Sequence, residues 1–299
     1  MSKKLSLCMI VKNEELNLRR CLQSVRGIVD EIIIVDTGST DSTLQIAFEF
    51  GAIVRSIPWN NDFSEARNAS LELAKGEWIL FLDADEELAR ESLEALKMRI
   101  DLEDVEGYFI KVVNYIGNEG WLETCPDLVF RLFKNHQEYR FRGAIHEQIA
   151  DVILEKNNRA SYRIADEIVI LHYGYLDRAI SEKNKKERNI MIIEKELSLD
   201  QDNRLLRYHY GVELFRAEKF AEAALELTRA ANGIDPDTIY LPKLLRYIVM
   251  SNQSARNLSQ ALEVAQLTLQ FFPDYADLYY YAGLICLELK KYSPARAWL

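Results

Sequence analysis

The sequence predicts two units, an α/β domain built on a mostly parallel, Rossmann-like sheet and an all-α domain of repeated helix pairs behind it. Three observations predict it. From Leu5 to about Tyr175, short apolar runs alternate with helical patterns. After Asp200 the strand signal disappears. Beyond that point small residues recur at a period in the thirties. A chain of 299 residues with 48% hydrophobic content is long enough to bury two cores.

The elements follow in order. Residues 5–11 read as a first strand, residues 14–25 as a helix and residues 31–36 as a second strand. Hydroxyls and a carboxylate in Thr37-Gly38-Ser39-Thr40-Asp41 suit the N-cap of a helix that stops at Gly51. A third strand is expected over 52–57, then a helix capped by Ser64 and ended by Gly76. Residues 78–82, Trp-Ile-Leu-Phe-Leu, are a fully apolar central strand that runs into Asp83-Ala84-Asp85.

In the second half Ala223, Ala261 and Ala295 are 38 and 34 residues apart, Pro236 and Pro273 are 37 apart, and Gly211 and Gly283 hold matching places. The pattern resembles tetratricopeptide repeats, whose paired helices stack because one pair cannot bury its own apolar face. The expected boundaries are 1–180 for the first domain, 181–200 for a helical linker and 201–299 for the repeats. A truncated piece is expected, because residue 299 falls inside a helix of the third repeat.

Composition excludes some function classes. The apolar runs are strand-sized, far short of the roughly 20 residues that span a bilayer, so no integral membrane segment is expected. The first strand stops at Lys12-Asn13-Glu14-Glu15 without a cleavage site, which reads against a signal peptide and for the cytoplasm. Cys8, Cys21, Cys125 and Cys286 form no Cys-x-x-Cys pair and are expected to be reduced thiols. A formal charge of −10 opposes nucleic-acid binding, and a phosphate-bearing substrate then needs a metal or a few placed basic residues.

Ligands of open α/β sheets bind beyond the carboxyl ends of the strands. Asn13-Glu14 follows the first strand, Asp36 ends the second and Asp83-Ala84-Asp85 ends the fourth. Two carboxylates at the end of a buried strand are costly without a compensating partner, and a hard divalent cation on a diphosphate supplies one.

Taken together, Ile10-Val11-Lys12-Asn13-Glu14-Glu15, Ile33-Ile34-Val35-Asp36-Thr37-Gly38-Ser39-Thr40-Asp41 and Phe81-Leu82-Asp83-Ala84-Asp85 resemble the family 2 glycosyltransferases of GT-A fold. The resemblance implies a nucleoside-diphosphate sugar donor, most simply a UDP-sugar, and inversion at the anomeric carbon. It implies that Val11, Asn13, Glu14 and Asp36 hold the base, that Asp83 lies near the ribose and that Asp85 binds Mn²⁺ or Mg²⁺. Asn61-Asp62-Phe63-Ser64-Glu65-Ala66-Arg67-Asn68 is similar to a segment of members that carry helical repeats, and adds Asp62 and Arg67 to the donor set. Arg67 falls in the first turn of its helix, where a guanidinium faces phosphate well.

The resemblance also implies an acidic base and a late histidine on the metal. Glu147, expected at a strand end after Phe141-Arg142-Gly143-Ala144-Ile145-His146, is assigned the base. His172 is assigned the metal, with His146 as the competing ligand. A pairing of Glu147 with Arg140 or Arg142 is the structural alternative. The expected activity is transfer of a sugar to a peptide or protein side chain (Cys, Ser or Thr), as in relatives that modify bacteriocin peptides, with the acceptor held by the repeats. A surface-polysaccharide or lipopolysaccharide-core transferase is the runner-up, and an inactive transferase domain on a repeat scaffold is the reading of another class. Self-association is left open.

Overall fold

Isoleucine, valine and leucine suit strands covered on both faces, and these residues build the centre of one sheet. In the computed structural model, which describes residues 4–102, 104–118, 121–176, 183–238 and 240–299, β1 (Leu5–Val11) pairs in parallel with β2 (Glu31–Asp36) and β4 (Trp78–Phe81). The edge strand β3 (Ile53–Ser56) lies outside β2. On the far side of β4 the sheet turns mixed: β7 (Trp121–Lys134) runs antiparallel to β4, β6 (Gly107–Asn118) antiparallel to β7, β8 (Tyr162–Leu176) parallel to β6, and β5 (Glu86–Leu88) antiparallel to β8. The order is β3-β2-β1-β4-β7-β6-β8-β5.

Alternation along β1 divides the core. Leu5, Leu7, Met9 and Val11 pack with Leu18 and Leu22 of α1 (Leu18–Ser24), Ile46 of α2 (Thr43–Glu49) and Leu96 of α4 (Leu93–Arg99). Cys8 faces the other layer with Ile33, Ile79, Phe81, Leu71 of α3 (Phe63–Leu71) and Ile153 of α5 (Ala150–Lys156). The expected layering of helices over an apolar sheet is what forms.

Three local expectations are corrected. The first helix begins at Leu18 and not at residue 14, because the amides of Asn17 and Leu18 both donate to the Glu14 carbonyl in a turn and Asn13 takes a left-handed φ of 56°. The cap of α3 is Asp62, which accepts from the Glu65 amide at 2.9 Å; the Ser64 hydroxyl instead donates to the Gly143 carbonyl at 2.6 Å. Residues 141–147 are a loop and not a strand end, closed by a single bridge between Arg142 and Gln148, with left-handed backbone at Gly143 and His146. Gly143 suits such a turn.

The chain divides into Met1–Glu182 and Lys183–Leu299. In the second unit the segment expected as a linker contains α6 (Lys183–Leu199), whose Ile190 is buried in one core with Tyr208, Val212 and Leu227, so it is a packed helix. Three helix pairs follow: α7 (Arg204–Arg216) with α8 (Phe220–Ala231), α9 (Leu241–Ser254) with α10 (Leu258–Phe271), and α11 (Ala276–Glu288) with α12 (Tyr292–Trp298). Each pair turns through one left-handed residue, Glu218, Arg256 and Lys290. After each, an amide reaches back to close the first helix: Lys219 to the Leu214 carbonyl, Asn257 to Asn252 and Lys291 to Cys286. The units fit tetratricopeptide-like repeats, and the turns repeat with the 38- and 34-residue spacing of the alanines.

The missing glycine of the middle pair also has a physical reason. A Cβ on Gly211 would stand 2.7 Å from Leu227 Cδ2, and one on Gly283 would stand 2.6 Å from Leu299 Cδ2. The matching middle positions are Val249 and Ala265, both fully buried in one core. The large partner changes helix, and the volume is conserved. All four cysteines are free. Among the described residues no helix is long and apolar enough to cross a membrane.

Candidate active site

Strand β4 ends in a turn that collects charge. Asp83 and Glu86 close it in both directions: the Asp83 amide donates to Glu86 Oε2 at 2.8 Å, and the Glu86 amide donates to the Asp83 carbonyl at 3.0 Å. Two arginines hold the Asp83 carboxylate from either side. Arg67 Nη2 reaches Oδ1 at 3.2 Å, and Arg131 Nη2 reaches Oδ2 at 2.9 Å. The same Arg131 nitrogen bonds Glu86 Oε1 at 2.7 Å. Arg67 Nε bonds Glu147 Oε1, which draws the expected base to the acid cluster. Arg142 pairs with Glu155, so the alternative pairing of Glu147 with that arginine is not formed.

Arg67 comes from the second turn of α3 and not from the first, because the helix is capped by Asp62 and begins at Phe63, and that helix is pinned to the Glu147 loop. Phe63 N donates to the Ala144 carbonyl at 2.8 Å, and Asn68 exchanges two bonds with the Phe141 backbone. The guanidinium lies 5.1 Å from the Phe81 ring and 5.6 Å from the Phe141 ring. Two cations thus face three carboxylates, of which Glu86 is buried and Glu147 and Asp83 are half-buried, so loss of one cation would leave a carboxylate withdrawn from water without its ion-pair partner. Burial works against the charge of Asp83, but Arg131 and Arg67 outweigh it and hold the carboxyl well below the usual range. Glu86 is the reverse case. Burial dominates, and despite Arg131 its carboxyl is pushed up to about 7.

Asp85 and His172 meet on the other side of the turn, with Oδ2 and Nε2 3.6 Å apart. Their backbones are joined as well: the Tyr173 amide donates to the Asp85 carbonyl at 3.1 Å, and Glu86 is the cross-strand partner of His172. Asn114 on β6 orients the imidazole. Its Nδ2 donates to the Cys125 carbonyl at 2.8 Å, so its Oδ1 accepts from His172 Nδ1 at 2.7 Å and Nε2 is aimed at Asp85, carrying a proton toward it in the charged ring and a lone pair only in the neutral one. Burial disfavours the imidazolium, yet Asp85 with Glu86 and Asp83 raises the pKa above the ordinary histidine value. Gly174 leaves the space between them open, since a Cβ there would stand 2.6 Å from His172 Nε2 and closer still to Asp85 Oδ2.

The residues expected at the donor, at the ends of the first two strands, form a second constellation. Asp36, buried at the end of β2, accepts from the amides of Gly38 and Ser39, both at 3.1 Å. The Val11 carbonyl accepts the Thr37 amide at 3.0 Å. Asn13 Oδ1 accepts the Thr40 amide at 2.8 Å, and the Glu14 amide donates to Thr43 Oγ1 at 2.7 Å. The loops after β1 and β2 are stitched into one shelf. Asp62 stands apart as the cap of α3.

Among the described residues no group of three His, Cys, Asp or Glu side chains converges as a metal cage. One carboxylate oxygen and one imidazole nitrogen across an open glycine do fit an ion that takes few protein ligands and completes its shell on phosphate and water. The imidazole favours Mn²⁺ over Mg²⁺.

Residues 6–152 match the family model for glycosyl transferase family 2. They are a family 2 glycosyltransferase domain. The match spans Asp36, Asp83, Asp85 and Glu147, and His172 lies beyond it. The chain is 32% identical over 269 residues to a TPR repeat-containing protein of Synechococcus elongatus, covering 89% of this chain and 66% of that one. It is 30% identical over 226 residues to the SPbeta prophage-derived glycosyltransferase SunS of Bacillus subtilis, covering 75% of this chain and 52% of that one. The chain thus spans about half to two thirds of the length of these relatives. Among solved structures, S. aureus TarS 1–349 overlays 99% of this chain and 90% of its own at 17% identity with a TM-score of 0.45.

Sequence reading missed Arg131, Glu86 and Asn114 around this family 2 centre. Arg131 left a trace, an arginine inside the apolar run Leu128-Val129-Phe130-Arg131-Leu132-Phe133, where a buried cation requires an acid. Asn114 left none.

Proposed function

We propose that the chain is an inverting, metal-dependent glycosyltransferase that moves a sugar from a nucleoside-diphosphate sugar, a UDP-sugar in the simplest case, to a Cys, Ser or Thr side chain of a peptide or protein. The observation that carries this reading is the Asp83–Asp85 turn at the end of β4, inside the family 2 domain, with His172 set against Asp85 and Glu147 tied through Arg67 to Asp83. The family 2 match and the similarity to the glycosyltransferase SunS support transfer from a sugar donor.

In this mechanism the shelf formed by Val11, Asn13, Glu14 and Asp36 receives the nucleotide base, and Asp83 holds the ribose. Asp85 and His172 would hold Mn²⁺ or Mg²⁺, and the bound ion would neutralise the diphosphate and stabilise it as the leaving group. Charge makes such help necessary. Up to Glu182 the chain carries 21 basic and 32 acidic residues, whereas the rest carries 16 and 15, so the excess negative charge lies in the donor-binding unit. Arg67 supplies positive charge beside the same turn, and Asp62 serves by fixing the start of the helix that carries it.

Glu147 takes the proton from the attacking atom. Its bond to Arg67 uses Oε1 and leaves the second oxygen for that proton. The helical repeats supply the surface that binds the acceptor. Isothermal titration with UDP, with and without Mn²⁺, followed by turnover of UDP-sugars with peptide or saccharide acceptors, tests the reading. Mn²⁺-dependent UDP binding and peptide-dependent turnover are expected. Saccharide-dependent turnover would move the assignment to polysaccharide synthesis, and absence of both binding and turnover in folded protein would leave a scaffold.

A further inference from the structure

We propose that Arg131 is a positioning residue of the donor site, one that holds the Asp83–Glu86 turn in the conformation that presents Asp83 and Asp85 to a ligand. The proposal rests on the donor reading above. Arg131 projects from β7, where its neighbour Leu132 pairs with Leu80 of β4, so the guanidinium arises beside the point at which the Asp83 turn leaves the sheet. Its side chain is 13% exposed, and that of Glu86 only 2%.

One nitrogen of Arg131 joins two carboxylates, and the second of these closes the turn. Glu86 accepts from Arg131 through Oε1 and from the Asp83 amide through Oε2. Glu86 also begins β5 opposite His172. A displacement of Arg131 therefore reaches Asp83 directly, and reaches Asp85 and His172 through the ends of the turn between them. Neither contact is one that a substrate makes. The guanidinium fixes the direction of acids that do meet the ligand, as groups behind a metal ligand commonly do.

Charge and geometry make opposite predictions here. If Arg131 acted only through its field, its removal would strengthen binding of a cation to the nearby acids. If it positions the turn, removal weakens that binding. Arg131→Lys keeps the charge but replaces the rigid, planar guanidinium, whose Nη2 joins the two acids, with a shorter, flexible ammonium. Glu86→Gln keeps the shape, yet its NH₂ meets a donor at either the Asp83 amide or Arg131 and breaks one side of the closure.

The test measures binding of Mn²⁺ alone by electron paramagnetic resonance of the free ion, then UDP binding in saturating Mn²⁺, for the unmodified protein and the three variants, with melting curves to verify the fold. Folded Arg131→Met is expected to bind Mn²⁺ about tenfold more weakly, Arg131→Lys to fall between it and the unmodified protein, and UDP affinity to follow the same order. Equal or tighter Mn²⁺ binding by folded Arg131→Met overturns the proposal. Should that variant not fold, unchanged Mn²⁺ and UDP affinities in both Arg131→Lys and Glu86→Gln overturn it. Weaker Mn²⁺ binding in the variants, with no UDP binding by the unmodified protein, upholds the positioning role and refutes the donor reading.

Discussion

Gly174→Ala adds one methyl group to the space between the two proposed metal ligands. The new Cβ would stand 2.6 Å from His172 Nε2 and closer to Asp85 Oδ2, where an ordinary contact needs about 3.5 Å, so both partners must withdraw, the imidazole by about 0.9 Å and the carboxylate by more. Asp85 can swing aside, whereas the imidazole is tethered by Asn114 at 2.7 Å and yields only by straining that bond. Side-chain ends yield more readily than backbone, so the fold should survive at a cost of about 1–3 kcal/mol. Function should not, since a misplacement near 1 Å at a reacting centre costs about 10²-fold. Melting curves, Mn²⁺ titration and turnover with a UDP-sugar measure the two effects separately. A folded Gly174→Ala protein with unchanged Mn²⁺-dependent UDP affinity would refute the assignment of Asp85 and His172 to the metal.

Glu147→Gln should keep UDP and Mn²⁺ affinity while turnover to a hydroxyl acceptor falls by about 10²–10⁴-fold; turnover near that of the unmodified protein excludes Glu147 as the base. The raised pKa of His172 sets a pH dependence with a definite sign. In the metal-free protein its paired, charged form stabilises the fold below the ordinary histidine pKa, and that contribution is lost as pH rises through the raised value. A metal needs the neutral ring, so Mn²⁺ affinity should fall about tenfold per pH unit below the raised pKa, and a flat titration between pH 6 and 8 would count against His172 as a ligand. In the helical unit, Gly211→Val should destabilise by about 1–3 kcal/mol, and adding Leu227→Ala, which copies the Val249 and Ala265 pair, should recover part of the loss in urea unfolding.

Much of the parallel half was legible because its signals are local. Residues 31–36 read as a strand and form one with those bounds, and the polar residues at the strand ends gather where open sheets bind ligands. The other half depends on pairing between distant residues. Nothing local in 107–134 announces that β6 and β7 form a long hairpin running into the sheet between β4 and β8, or that Arg131 and Asn114 are thereby carried to the turn. Glu147 was read into a strand from its apolar neighbours, but Gly143 and His146 bend that segment into a loop, and it is Arg67, 80 residues earlier, that brings Glu147 to the site. The Asp62 cap was open to sequence reading, since Asp62 and Glu65 have the spacing of a helix start, and Ser64 was the wrong choice of two good capping residues.

The exchange of large and small partners between helix pairs has a consequence for how the second unit assembles. Repeats of similar sequence risk docking a first helix on the second helix of another repeat. Here the shapes discriminate. Were α9 to take α8 as its partner in the hairpin arrangement, Val249 would meet Leu227 where the native pair has room for a glycine. Were α7 to take α10, Gly211 would face Ala265 across a void. One error is blocked by overlap and the other is penalised by an unfilled gap, so the middle pair is kept from exchanging helices with its neighbours on either side, while the first and third pairs share the glycine and leucine combination and are not told apart by it.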